Sequence, residues 1–144
     1  MKSLRHLLLA CTAALLLASA ARASDWSEDY AAAQALAKKE HKYVLLDFTG
    51  SDWCSWCKKT DAEVFSTPAF KDFADKKLVL VTVDFPRKRE LSDAVKAQNE
   101  KLKNTYSVQG YPTLVVLDPD GKTVFTQEGY EPGGPEAFIA KFPK

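Results

Sequence analysis

Two cysteines separated by two residues, Cys54 and Cys57, carry the clearest chemistry in this sequence. They follow an apolar run, residues 43–48, at the point where the pattern becomes helical. A thiol is a nucleophile in its thiolate form, and the free amides and positive dipole end at a helix start stabilise that anion. We predict that Cys54 stands at the helix start, open to solvent. Cys57 lies on the same helical face, placed to attack a mixed disulfide formed at Cys54.

The sequence gives less support to other functions of the two cysteines. A structural disulfide across two intervening residues closes so small a loop that it removes little entropy from the unfolded chain. A closed zinc site needs about four ligands, and residues 24–144 offer only Cys54, Cys57 and His41. We predict no resident metal and no cofactor, since no glycine-rich phosphate loop or dinucleotide motif occurs. A copper(I) site made of two thiolates stays open.

The N-terminal residues have the pattern of an export signal. A basic start and an apolar stretch at residues 7–18 precede a small-x-small cleavage site just before Ser24. The stretch is shorter than the roughly 20 residues of a spanning helix, and it continues past Cys11, which argues against lipid attachment there. We predict a signal peptide over residues 1–23 and an exported domain over 24–144. That domain would be periplasmic or extracellular, without a stable membrane anchor.

The charge balance excludes some partner classes. The chain has 20 Lys and Arg against 19 Asp and Glu, and the leader holds three of the basic residues and none of the acids, so residues 24–144 carry 17 against 19, or −2. This balance does not indicate a nucleic acid or an anionic membrane as partner. The short basic run at residues 86–90 ends in an acid and contains no aromatic residue. We interpret it as the solvated start of a helix.

Helical and strand patterns alternate around the cysteines. They predict, in order, a helix over 24–41, a strand over 43–48, a helix over 54–65, a short helix from Pro68, a strand over 78–84, a helix over 88–103, strands over 113–118 and 122–127, and a helix over 135–142. A right-handed crossover makes the first two strands parallel, and the final hairpin is antiparallel. The expected fold is α/β, with a mixed central sheet of about four strands between helices on both faces.

Two segments together resemble the thioredoxin superfamily. They are residues 47–58, which end in the two cysteines and Lys58, and residues 108–113, which contain Tyr111-Pro112. The tail over residues 64–66 is similar to that of exported thioredoxin-like proteins and of the C-terminal domain of the transmembrane disulfide-bond reductase. The resemblance implies a thioredoxin-like fold and an exported thiol–disulfide oxidoreductase. Its partners would be protein or peptide disulfides and thiols, together with an upstream redox partner.

The resemblance also implies roles for single residues. Cys54 is similar to the attacking thiol of the family, and Cys57 is similar to the resolving thiol. Pro112 matches the cis-proline, since proline is the residue for which a cis bond costs only about 0.5–1 kcal/mol. The loop of Pro112 faces the cysteines in the family and lets the preceding residue, here Tyr111, pair its backbone with a substrate peptide.

Asp47 is similar to the buried carboxylate that lies beneath the resolving cysteine. An acid in an apolar strand has a raised pKa, which suits a proton acceptor for Cys57. A strand-end acid that binds nearby amides is the alternative. It stays open because the turn between Asp47 and Trp53 is one residue longer than in the common thioredoxin pattern.

Trp53 and Trp56 are predicted to form an apolar rim that binds extended partners, and packing against Phe48 and Tyr111 is a compatible role. Ser55-Trp56 replaces the Gly-Pro of ordinary thioredoxins. Residues at these two positions help to set the redox potential, but their identity alone gives neither its value nor the direction of the reaction. A second function therefore stays open beside the enzyme. It is a thioredoxin-like module that binds clients with little redox turnover.

Overall fold

The computed structural model describes residues 25–144. The elements in this region are, in chain order, β1 (Trp26–Ser27), α1 (Tyr30–Glu40), β2 (Tyr43–Thr49), α2 (Ser55–Thr60) with a π-helical continuation (Asp61–Phe65), α3 (Pro68–Lys77), β3 (Leu78–Asp84), α4 (Asp93–Thr105), β4 (Thr113–Leu117), β5 (Thr123–Glu128) and α5 (Gly134–Ile139). The predicted signal peptide over residues 1–23, with Cys11, lies outside the described residues. Apart from β1, each element corresponds to one that the sequence predicts.

The strands form one mixed sheet in the order β1-β3-β2-β4-β5. β3 is parallel to both β1 and β2, whereas β4 is antiparallel to β2 and to β5. Since β2 and β3 are parallel, both carboxyl ends, Thr49 and Asp84, lie at the same edge of the sheet. The segment that carries the cysteines leaves β2 at this edge. The sheet has five strands in the described region rather than the predicted four or so.

Two apolar clusters cover the two faces of the sheet. On one face, α1 and α4 pack against β2 and β3 through residues such as Ala37 and Leu102. On the other face, the π-helical segment, α3 and α5 contribute Phe65, Phe70 and Phe138. The prediction of helices on both faces is confirmed. This prediction followed from the strand patterns, because a continuously apolar strand is covered on both faces.

The start of the domain differs from the predicted helix over residues 24–41. The chain first joins the sheet, where Trp26 pairs with Leu80 of β3 and its ring packs against Phe65 at a centroid distance of 5.0 Å. Asp29 then caps α1, and its carboxylate accepts a hydrogen bond from the Ala32 N–H in the first turn at 2.9 Å. Burial of the indole against the sheet edge outweighs the helix propensity of the neighbouring residues.

The basic run at residues 86–90 is a loop, and the predicted helix start there is wrong. α4 begins at Asp93, after Ser92, whose hydroxyl accepts the cap hydrogen bond. The amides of the three residues 87–89 donate instead to the carboxylate of Asp52, at 2.7–3.3 Å. The Asp52 side chain, from the turn after β2, therefore binds the amides that would have belonged to the first turn of the predicted helix.

Candidate active site

The cysteines lie in a short turn between β2 and α2. The N–H groups of Trp53 and Cys54 both donate to the carbonyl of Gly50, at 3.1 and 2.8 Å, and fix this turn. Cys54 is the N-cap residue of α2, as the sequence predicts, and its sulfur accepts a hydrogen bond from the Cys57 N–H at 3.2 Å. The two residues form a disulfide, with a Cα–Cα distance of 5.3 Å. The structure therefore shows the oxidised form of the dithiol.

The exposure of the two cysteines corrects one expectation. Each is 6% exposed, so the residue exposures do not show Cys54 open and Cys57 hidden. They differ in their surroundings instead. Cys57 lines a cleft of about 340 Å³ together with Asp47, Lys58 and Asp61, and Cys54 is not among its lining residues. Cys57, for which the resemblance implies the resolving role, therefore lies beside this cleft.

Asp47 lies in β2 and lines the same cleft as Cys57. Its Oδ1 is inaccessible to solvent and has no hydrogen-bond partner within residues 25–144, which disagrees with the alternative of an acid bound to nearby amides. Burial, with smaller contributions from the negative charges of Asp61 and Asp84, raises the pKa of Asp47 to about 7. A carboxyl group with this pKa exchanges protons readily near neutral pH.

Trp53 is fixed by contacts on several sides. Its indole N–H donates to the carbonyl of Phe85 at 2.8 Å, and its ring meets that of Tyr111 edge-on at a centroid distance of 5.8 Å. The Arg87 guanidinium carbon lies 4.1 Å from its ring centroid. The ring also covers Gly50, where an added Cβ would lie 2.3 Å from an indole carbon. Trp53 therefore positions the turn before Cys54.

Replacing Gly50 with alanine should displace the Trp53 ring. Because the new methyl group meets a packed indole, we expect the free energy of unfolding to fall by about 1–3 kcal/mol. Urea denaturation measures that loss, and near-UV circular dichroism reports the ring. Gly110→Ala is the matched control, since a Cβ there meets nothing within 4 Å. Equal stabilities for the two variants would contradict the close packing of Trp53 on Gly50.

Trp56 has a different environment from Trp53. It is 55% exposed, and its ring stacks on that of Tyr130 at 5.4 Å, not on Phe48 or Tyr111 as the sequence suggests. The Lys59 ammonium lies 5.5 Å from the Trp56 ring centroid and 4.7 Å from that of Tyr130. Trp56 therefore presents a large apolar face to solvent beside the disulfide.

The Tyr111-Pro112 loop lies next to the turn of the cysteines through the contact of Tyr111 with Trp53. The peptide bond between Tyr111 and Pro112 is cis. The Pro112 carbonyl accepts a hydrogen bond from the Gly129 N–H at 2.8 Å. Within residues 25–144, the backbone of Tyr111 makes no such bond outside the sheet ladders.

Sequence reasoning missed several residues near the site, above all Tyr130, Asp52 and Phe85. Tyr130 belongs to the loop after β5 and Phe85 follows β3, so both reach the cysteines only through tertiary folding. Asp52 looks like an ordinary turn residue, yet three amides lower the pKa of its carboxyl group. No local pattern signals any of these contacts. Among the residues that the sequence does single out, Asp47 and Cys57 line one cleft and Trp53 contacts Tyr111, and their roles stay predictions.

Comparison with known proteins identifies the family. A family model described as a thioredoxin-like domain matches residues 30–143. The chain belongs to this family. The thioredoxin-like chain is 42% identical over 114 residues to the disulfide bond reductase DsbH of Chlamydia pneumoniae, a match that covers 79% of this chain and 68% of DsbH. It is 33% identical over 104 residues to the thiol:disulfide interchange protein DsbD of Photorhabdus laumondii, of which it spans 16%.

Solved structures agree with this assignment. The thioredoxin-like chain matches a structure of DsbH oxidoreductase with a TM-score of 0.75 and 40% identity, covering 81% of this chain and 80% of that one. It matches the oxidised C-terminal domain of DsbD from Neisseria meningitidis with a TM-score of 0.58 and 27% identity, covering 81% and 95%. The predicted superfamily, α/β fold and enzyme class of thiol–disulfide oxidoreductase are confirmed.

Residues 25–144 contain no group of three or more His, Cys, Asp and Glu side chains that could hold a metal ion. No helix within the same residues is long and apolar enough to cross a membrane.

Proposed function

We propose that this protein is an exported thiol–disulfide oxidoreductase that exchanges disulfides with protein or peptide substrates through Cys54 and Cys57. The observation that carries the proposal is the disulfide between these two residues at the start of α2, next to the Tyr111-Pro112 loop. The names of the relatives support the same chemistry. Residues 1–23 would be the export signal, and residues 24–144 the mature domain in the periplasm or outside the cell.

In the reducing direction, the Cys54 thiolate attacks one sulfur of a substrate disulfide and expels the other as a thiolate. The amide of Cys57 and the start of α2 stabilise the negative charge on Cys54. A mixed disulfide then joins Cys54 to the substrate. Cys57 attacks the Cys54 sulfur, the substrate leaves as a thiolate, and the Cys54–Cys57 disulfide forms. An upstream thiol partner must reduce this disulfide before the next cycle.

Asp47 is the proton acceptor in the second step of this proposal. Cys57 must lose its proton to become a nucleophile, and the Asp47 carboxyl group lines the same cleft. Since its pKa is raised to about 7, its carboxylate is a stronger base than an exposed acid and is still populated near neutral pH. The cleft lets the proton reach solvent afterwards.

Substrate binding involves Trp53, Trp56, Tyr111 and Pro112. Trp56 offers an exposed ring for an apolar side chain of the substrate. The backbone of Tyr111 can pair with an extended peptide, in the manner of an added strand. Trp53 and Pro112 position these groups, because both are fixed by hydrogen bonds of their own.

The mature protein should accelerate the reduction of a peptide disulfide by dithiothreitol at least about tenfold, because the start of α2 stabilises a thiolate, whereas a free thiol is mostly protonated at neutral pH. Absorbance or fluorescence of a labelled peptide measures the rate. Protein that has been reduced and alkylated at both thiols is the control. Peptide binding without any acceleration would instead favour the client-binding module.

A further inference from the structure

The aromatic residues beside the disulfide carry cations on their faces. Arg87 lies over Trp53 at 4.1 Å, measured from the guanidinium carbon to the ring centroid. The Lys103 ammonium lies 5.3 Å from the ring of Phe85 and 5.8 Å from that of Tyr111. Lys59 lies over Tyr130 and Trp56, as described above. We call this set of three cations and five rings the cationic rim.

The three cations come from separate parts of the chain. Lys59 belongs to α2, Arg87 to the loop after β3, and Lys103 to the last turn of α4. Each is held near a ring by a cation–π contact of the usual range, within about 6 Å. Because Trp53 directly precedes Cys54 and Trp56 directly precedes Cys57, these cations lie near the region where a substrate disulfide must enter.

Two of the three cations have no ion-pair partner among the described residues. Within residues 25–144, neither Arg87 nor Lys103 forms an ion pair. Lys59 has one acidic neighbour, Glu63, at 3.8 Å, and Glu63 also accepts a hydrogen bond from the Tyr130 hydroxyl. The nearby carboxylate of Asp52 accepts hydrogen bonds from the amides of residues 87–89 and keeps its own negative charge. The three cations of the rim outnumber these two neighbouring carboxylates, Glu63 and Asp52, so the rim is net positive, although residues 24–144 together carry a net charge of −2.

We propose that the cationic rim selects polypeptide clients that carry Asp or Glu close to the reacting disulfide. The inference rests on the proposed function and adds its substrate class. Fixed cations near an entrance raise the local concentration and association rate of acidic partners, and they disfavour basic ones. The rings add apolar contact with the same segment. The recognised substrate is thus an extended acidic peptide segment.

Three peptides with the same disulfide and with Glu, Gln or Lys at the flanking positions test the proposal. We expect kcat/KM to fall from Glu to Gln to Lys, with about a tenfold span between the ends in roughly 20 mM salt. The span should shrink to about twofold in roughly 0.5 M salt, since screening shortens the reach of exposed charges. Equal rates for the three peptides at low salt would overturn the proposal.

The variant Arg87→Glu/Lys103→Glu should reduce the ratio of the Glu-peptide rate to the Lys-peptide rate to one or below. The matched control is Lys76→Glu/Lys122→Glu, which changes the net charge equally. These two exposed lysines lie at the opposite edge of the sheet, just before β3 and in the turn after β4. The control should keep the wild-type ratio. An equal loss of the Glu-over-Lys preference in the two double variants would show a net-charge effect and contradict a role for the rim.

The outcomes separate this inference from the proposed function. Absence of turnover with all three peptides would contradict the oxidoreductase. In that case, tryptophan fluorescence would measure the binding of the same peptides and test their order of affinity. Turnover without any preference would contradict only the acidic client. If the Arg87→Glu/Lys103→Glu variant fails to fold, the peptide series and its salt dependence on the wild-type protein decide the matter.

Discussion

Replacing Cys57 with serine should leave the protein covalently joined to its substrates through Cys54. The first attack is unaffected by the change, but the intramolecular thiol that releases the product is lost. Well-oriented intramolecular groups react with effective concentrations of about 10⁵ M or more, so we expect turnover to fall by at least about 10³-fold. Non-reducing electrophoresis and mass spectrometry of the trapped species measure the mixed disulfide.

Cys54→Ser is the decisive comparison for the order of attack. It should lose turnover to a similar extent yet trap no substrate, because the proposed mechanism assigns the first attack to Cys54. The double Cys54→Ser/Cys57→Ser variant gives the background of non-covalent binding. Since the two cysteines are equally exposed in the oxidised form, exposure does not show which of them attacks first, and this experiment does. Trapping by Cys54→Ser and not by Cys57→Ser would reverse the assigned roles.

Replacing Asp47 with asparagine should make the protein more stable at pH 8. The folded-state pKa of about 7 lies above the unfolded value of 3.8, so the native state binds the proton more tightly. The stability that this protonation contributes is complete below about pH 3.8 and is lost as the pH rises through 7. The variant avoids this loss, which amounts to roughly 2–4 kcal/mol. Urea denaturation at several pH values between 4 and 8 measures the difference.

The same variant should slow product release, and its opposite effects identify the role of Asp47. Without the carboxylate, Cys57 has no nearby proton acceptor, so the mixed disulfide should persist about 10²-fold longer. Asp61→Asn is the matched control: it removes a neighbouring negative charge, lowers the pKa of Asp47 and keeps the base. An Asp47→Asn protein that is more stable at pH 8 but releases product normally would assign Asp47 no part in the chemistry.

The parts of the site that sequence predicts are those encoded locally. Cys54 and Cys57 lie at a boundary between an apolar strand and a helix, and Asp47 interrupts that strand, so pattern and residue type suffice. The contacts of Tyr130 and Asp52 instead depend on how segments far apart in sequence meet. The Asp52 carboxylate binds the amides of residues 87–89, so this segment forms a loop in place of the predicted helix start. Such contacts follow from tertiary packing, and no local periodicity encodes them.

The β1 strand affects how the protein should be handled in the laboratory. Trp26 lines the cleft that also contains Cys57, so any tag fused just ahead of residue 26 begins close to the reacting sulfurs. At the other terminus, Phe142 contacts Tyr43 at the start of β2, which is the edge of the sheet remote from the disulfide. Affinity tags and fluorescent labels for the assays therefore belong after Lys144.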